Sequence, residues 1–219
     1  MNEKERFLKN VWPRVTEFLN EKGPANYSGF IAGIEQGWRG PYIWSENGDL
    51  VRLITRYCED EFGFLSVHNE CKIDKFMFLS YNPKLEKTRK SIDIDITNAE
   101  ECEDWVLDPN DPRKDKGYIK FRKLQHTLFI EVKHIFKGAI RKDPAKKIQG
   151  FVEDCKRLQE EIRNKRCKYA IAIIIDDGDR KGNNYIQDAP GLIASMKNVN
   201  KDVEPLIWQR QVKDRPSIR

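Results

Sequence analysis

Two short stretches decide the fold: SIDIDIT, residues 91–97, and HTLFIEVKH, residues 126–134. Side chains alternate between the two faces of a strand. In the first stretch Asp93 and Asp95 therefore share one face, and Ile92, Ile94 and Ile96 take the other. In the second, Glu131 and Lys133 share a face, while Leu128, Ile130 and Val132 take the opposite one. Each stretch reads as a core strand with one apolar and one charged face. An isolated charge is costly in a core unless it is paired or binds a metal. If the two strands are neighbours with the charged faces aligned, the carboxylates converge beside one ammonium. Converging carboxylates repel unless a cation sits between them, which suits Mg²⁺ or Mn²⁺.

Around these strands the chain alternates helical and strand-like patterns. Residues 3–21 carry an apolar stripe of Phe7, Leu8, Val11, Val15, Phe18 and Leu19, the mark of a helix, with Pro13 as its one breaker. A second helix runs through the segment SENGDLVRLITRYCEDEFG, with Ser45 as N-cap and Gly63 as its stop. Strands are expected at 64–70, 75–80, 90–97, 118–123 and 126–134. Pro144 opens a helix striped with Ile148, Phe151, Cys155, Leu158 and Ile162. KYAIAIIIDDGD, from residue 168, starts as a strand buried on both faces and ends in an acidic turn. A helix at 190–197 and a strand at 203–209 close the series. The order predicts an α/β fold, a mixed central β-sheet flanked by helices.

The chain has 219 residues, which suits one domain over 1–219. Within it we distinguish an N-terminal helical segment (1–43), a core (44–176) with an acidic, then Pro- and Lys-rich insertion at 98–117, and a C-terminal extension (177–219). The net charge of +5 is a mild excess, compatible with a polyanionic partner without requiring one. Five cysteines, an odd number with no CxxC pair, read as reduced thiols of a cytoplasmic protein. Three scattered histidines argue against zinc. No apolar run is long enough for a bilayer, so no membrane partner is expected.

The strand pair resembles the PD-(D/E)xK nuclease superfamily, the restriction-endonuclease-like phosphodiesterases. IEVK supplies Glu131 and Lys133, KSIDIDI the preceding aspartate, and WSENGDLVRLI supplies Glu46 near the start of the preceding helix. The following helix and KYAIAIII match the order of that superfamily, over roughly residues 44–176. Isoleucine stands where the proline of the motif would precede the aspartate.

The resemblance implies a restriction-endonuclease-like core and a metal-dependent endonuclease cutting DNA in restriction, phage defence or repair. It implies Asp93 or Asp95, Glu131 and the Val132 carbonyl as ligands of Mg²⁺ or Mn²⁺. Lys133 would orient or activate the attacking water, and Glu46 would assist. Which aspartate is the ligand stays open at this point. Basic residues around the motif, Lys90, Lys137, Arg141 and Lys146, with Gln149, are the candidates for gripping nucleic acid. A homodimer or a protein partner is compatible with such a fold. The alternatives are a catalytically inactive protein of the same fold that binds nucleic acid or a protein, and a nuclease acting on RNA after activation by a partner or ligand. For most of these residues a plain structural role is the competing explanation. Glu131 and Lys133 could be a strand ion pair, Glu46 a first-turn helix carboxylate, and each basic cluster a solvated face.

Overall fold

The structure is a computed structural model, described here for residues 1–22, 49–72, 91–98, 126–135, 144–178 and 183–210. The elements are α1 (Glu3–Arg6), a π-helical turn (Phe7–Val11), α2 (Trp12–Lys22), α3 (Val51–Phe62), β1 (Val67–Lys72), β2 (Ser91–Thr97), β3 (His126–Ile135), α4 (Pro144–Arg163), β4 (Cys167–Asp176), α5 (Ala189–Val199) and β5 (Val203–Gln209).

The five strands form one sheet in chain order, β1-β2-β3-β4-β5. β1, β2 and β3 run antiparallel, while β3, β4 and β5 run parallel. The change of sense follows from the connections. Parallel neighbours need a crossover of a dozen or more residues, and α4 and α5 supply the two crossovers. This is the mixed sheet flanked by helices that the pattern predicted. The expected segments at 75–80 and 118–123, the insertion at 98–117 and the Ser45 cap lie outside the described residues.

Two cores sandwich the sheet. On one side Phe7, Val11, Val15 and Leu19 of the N-terminal helices and Leu50, Ile54 and Cys58 of the α3 region meet Ile94, Ile96, Leu128, Ile130, Val132, Ile171, Ile173 and Ile175. On the other, Phe151, Cys155 and Leu158 of α4 and Met196 of α5 cover Phe129, Ile135, Ala170, Ala172 and Ile174. Ile92, at the start of β2, belongs to this second core, unlike Ile94 and Ile96. β4 is buried on both faces, as an unbroken apolar run requires. Each fully buried isoleucine there contributes roughly 1.5–3 kcal/mol.

The helical run from residue 3 is interrupted by the π-helical turn just before Pro13. Proline has no N–H to give and its ring crowds the carbonyl four residues back, so the preceding turn widens. The N-terminal helices are tied to α3 by Arg6–Glu61 and Arg14–Asp60 pairs, both 2.8 Å. Trp208 of β5 donates from Nε1 to Asn20 Oδ1 of α2 at 3.1 Å. The first helices and the last strand thus pack on the same sheet as the central segments. Pro205 is tolerated in β5 because nothing among the described residues pairs with its outer edge.

Candidate functional site

The charged faces of β2 and β3 do align, and they face α4. The register pairs Ile94 with Ile130 and Asp95 with Phe129. Past Ile130 the described β2–β3 pairing ends, and a side chain replaces it: Val132 N–H donates to Asp93 Oδ2 at 2.8 Å. Asp93 is thereby fixed against β3 between Glu131 and Lys133. In an extended strand the N–H and C=O of one residue face the same neighbour. The Val132 carbonyl therefore also faces the β2 side.

The charged face is not open, as strand alternation alone would allow. α4 lies across it and brings two residues that strand patterns cannot reveal, Asp154 and Arg157. Lys133 Nζ lies 2.8 Å from Asp154 Oδ2 but 4.0 Å from Glu131 Oε2. Arg157 pairs with Glu131 Oε1 and also reaches Asp154 Oδ1 at 3.3 Å. Gly150 completes this face of the helix; a Cβ there would stand 3.9 Å from the Lys133 side chain. Gly150, Asp154 and Arg157 are spaced four and three residues apart, the spacing of one helix face. That face flanks the apolar stripe of Phe151, Cys155 and Leu158. This spacing was the signal in the sequence, and it carries meaning only once α4 is known to cross β3.

Glu131 is 3 % exposed, and its carboxyl is pushed up to about 9. Burial is the main cause and the nearby Asp93 charge the second; Asp154 adds to them, while Arg157 and Lys133 oppose them. A buried carboxylate that close to two others gains from any additional cation.

The donor set for such a cation is hard oxygen: the Asp93 and Glu131 carboxylates and the Val132 carbonyl. No group of three or more acidic, histidine or cysteine side chains among the described residues is arranged to hold a metal. A Mg²⁺ or Mn²⁺ ion here would thus have two carboxylates from the protein. That fits an ion that keeps several waters and uses one or two carboxylates plus substrate oxygens. It does not fit Zn²⁺, which wants a closed shell of nitrogen and sulfur.

Asp95 shares the parity of Asp93 but has a different environment. It is fully buried, and its Oδ2 lies 2.7 Å from His126 Nδ1 across the β2–β3 pair. The pair sits at a register shift between Ile96 and Thr97, where Thr97 faces His126. The histidine engages Asp95 at the far end of β3 from Lys133. Of the two aspartates, Asp93 is the one beside Glu131.

Lys146 and Gln149 are exposed on the first turns of α4, and Gln149 donates to Glu153 at 3.0 Å. Glu46, Lys90, Lys137 and Arg141 lie outside the described residues. His134 turns away from the charged face, its Nε2 2.7 Å from Asp177 Oδ2.

The acidic end of β4 is a turn, the role its place after the strand suggests. Asp176 accepts from Gly178 N at 3.0 Å and Ile186 N at 2.8 Å. Burial raises its carboxyl, and these two backbone donors, with Gln209 and Tyr185, hold that rise in check. Gly178 has a φ of +69°, and a Cβ there would meet Asn183 O at 2.8 Å. No helix among the described residues is long and apolar enough to cross a membrane. No family model, no curated protein and no solved structure matches the chain.

Proposed function

We propose that the chain is a Mg²⁺- or Mn²⁺-dependent nuclease with a restriction-endonuclease-like core, hydrolysing DNA phosphodiester bonds. One observation carries this reading: the Asp93 carboxylate is held on the β3 backbone between Glu131 and Lys133. The order of the Asp93 strand, the neighbouring Glu131–Lys133 strand, α4 and the apolar β4 supports it, because that is the order the PD-(D/E)xK resemblance implies. A bound Mg²⁺ would polarise the scissile phosphate and favour the attacking form of water.

The residues of the chain do the rest. Asp93 and Glu131 would offer one oxygen each, on adjacent strands that the bond from Val132 N–H to Asp93 holds together. The Val132 carbonyl would face the same space. Lys133, steadied by Asp154, would orient the water or meet the charge growing on the phosphate. Burial under α4 keeps the local dielectric low, so each of these charges acts more strongly than it would in water.

Plasmid and linear duplex incubated with Mg²⁺, Mn²⁺ or EDTA test the proposal. Metal-dependent nicking is expected, and it should be lost in Glu131→Gln and Lys133→Ala. Equal cleavage by wild type and Lys133→Ala would remove Lys133 from the chemistry. Absence of both cleavage and Mn²⁺ binding would remove the nuclease reading.

A second reading is favoured by the cations already on the site. Arg157 engages Glu131, and Lys133 engages Asp154. A nuclease that waits for a partner or ligand, acting on DNA or RNA, would look like this. So would an inactive protein of the same fold. Mn²⁺ binding without cleavage of either nucleic acid would select this reading.

A further inference from the structure

The metal-nuclease reading leaves Arg157 without a role, although it pairs directly with the proposed ligand Glu131. Arg157 projects from α4 over β3 and reaches two carboxylates at once, Glu131 Oε1 and Asp154 Oδ1. The two partners differ in kind. Asp154 is three residues earlier on the same helix, so the two side chains share one face and lie within reach of each other. Glu131 is on the sheet and belongs to the proposed ligand set. Both contacts are made from one guanidinium nitrogen, Nη2, so Arg157 can release one carboxylate while keeping the other. The other Glu131 oxygen faces Lys133 at 4.0 Å, and Lys133 is anchored on Asp154 at 2.8 Å. Any cation that binds Glu131 must therefore compete with Arg157 for it.

We propose that Arg157 is the resident counter-ion of Glu131, and that it yields this carboxylate to the metal while remaining on Asp154. This rests on the metal reading above and goes beyond it, because it assigns control of metal entry to a residue on the crossover helix. Arg157 is then a positioning residue in the metal-free protein. Asp154 is the second anchor that lets the exchange proceed without leaving a buried guanidinium unpaired, a state that would be strongly unfavourable.

The test is Mn²⁺ titration calorimetry on the full chain without nucleic acid. It compares wild type, Arg157→Gln, Arg157→Lys and Glu131→Gln, with folding checked by circular dichroism. Arg157 also favours the ionised form of Glu131, so titrations at several pH values give the affinity of that form, which should tighten when the competing charge is removed. Arg157→Gln is expected to bind about tenfold more tightly than wild type. Arg157→Lys should fall between them, because an ammonium keeps the competing charge but is a shorter and more strongly hydrated partner for Glu131 than the guanidinium. Glu131→Gln should lose the site. A folded Arg157→Gln with equal or weaker affinity than wild type would overturn the proposal while leaving the metal site standing. If Arg157→Gln does not fold, the comparison of Arg157→Lys with wild type decides, in the same directions. No Mn²⁺ binding by wild type or either Arg157 variant would overturn the metal reading, and this inference with it.

Discussion

Replacing Glu131 by glutamine should stabilise the metal-free protein at alkaline pH and leave its stability nearly unchanged at acid pH. The ordinary value for this carboxyl is 4.5, and in the folded protein it is pushed up to about 9, chiefly by burial. Between those values the folded protein keeps a proton on Glu131 that the unfolded chain has released. Stability falls with pH wherever the folded state binds more protons. The favourable contribution is therefore whole below about 4.5 and is lost as pH rises towards about 9. Some 4 pH units of that window lie below pH 8.5, at about 1.4 kcal/mol each, which sets a ceiling of roughly 5.6 kcal/mol on the effect. Glutamine does not titrate and escapes this loss, although it offers Arg157 a poorer partner, so the net gain stays under that ceiling. Urea unfolding in EDTA at about pH 5.5, 7 and 8.5 measures it. The free-energy difference between variant and wild type should widen steadily with pH. A difference that is flat, or that favours wild type as pH rises, would show that Glu131 ionises at an ordinary pH and that its burial carries no penalty. Adding Mn²⁺ should flatten the pH dependence of the wild type, because the ion binds the deprotonated form.

The two aspartates of β2 should separate cleanly. Asp93→Asn is expected to lose about 100-fold in metal-dependent cleavage with a small stability change, since an amide oxygen can still accept from Val132 N–H. Asp95→Ala should instead cost about 1–3 kcal/mol in urea unfolding, by removing the buried carboxylate that His126 Nδ1 engages. Cys58, Cys155 and Cys167 are buried, and burial raises their thiols, Cys155 to about 12. Mass spectrometry should find them unmodified by iodoacetamide at pH 8 until the protein is unfolded. Gly178→Ala should lose about 1–3 kcal/mol in the same unfolding assay, from the positive φ and the collision with Asn183 O.

The strand pattern carried most of the described fold. Period-two alternation in 91–97 and 126–134 located β2 and β3, and the isoleucine run located β4, because burial on one face or two leaves a direct mark on composition. The α4 stripe was equally legible from Phe151, Cys155 and Leu158. Alternation could not distinguish Asp93 from Asp95, since both have the same parity. The choice depends on where the β2–β3 ladder stops and on the position of His126, and both are matters of register. Asp154 and Arg157 were missed for a related reason. On a helix rich in charge they resemble solvated residues, and only the crossing of α4 over β3 turns them inward. The N-terminal helices and β5 fell outside the resemblance, yet Phe7, Val11 and Trp208 share a core with Ile130 and Ile173.

The bond from Val132 N–H to Asp93 joins the backbone of the central strand to a side chain whose charge environment is set by what occupies the site. The amide of Val132 is therefore a built-in spectroscopic probe. Its proton resonance should move when Asp93 shares its charge with an ion, and its solvent exchange should speed up if the carboxylate is drawn away. Ligand occupancy could then be followed at a single backbone position, with no label attached and no turnover required.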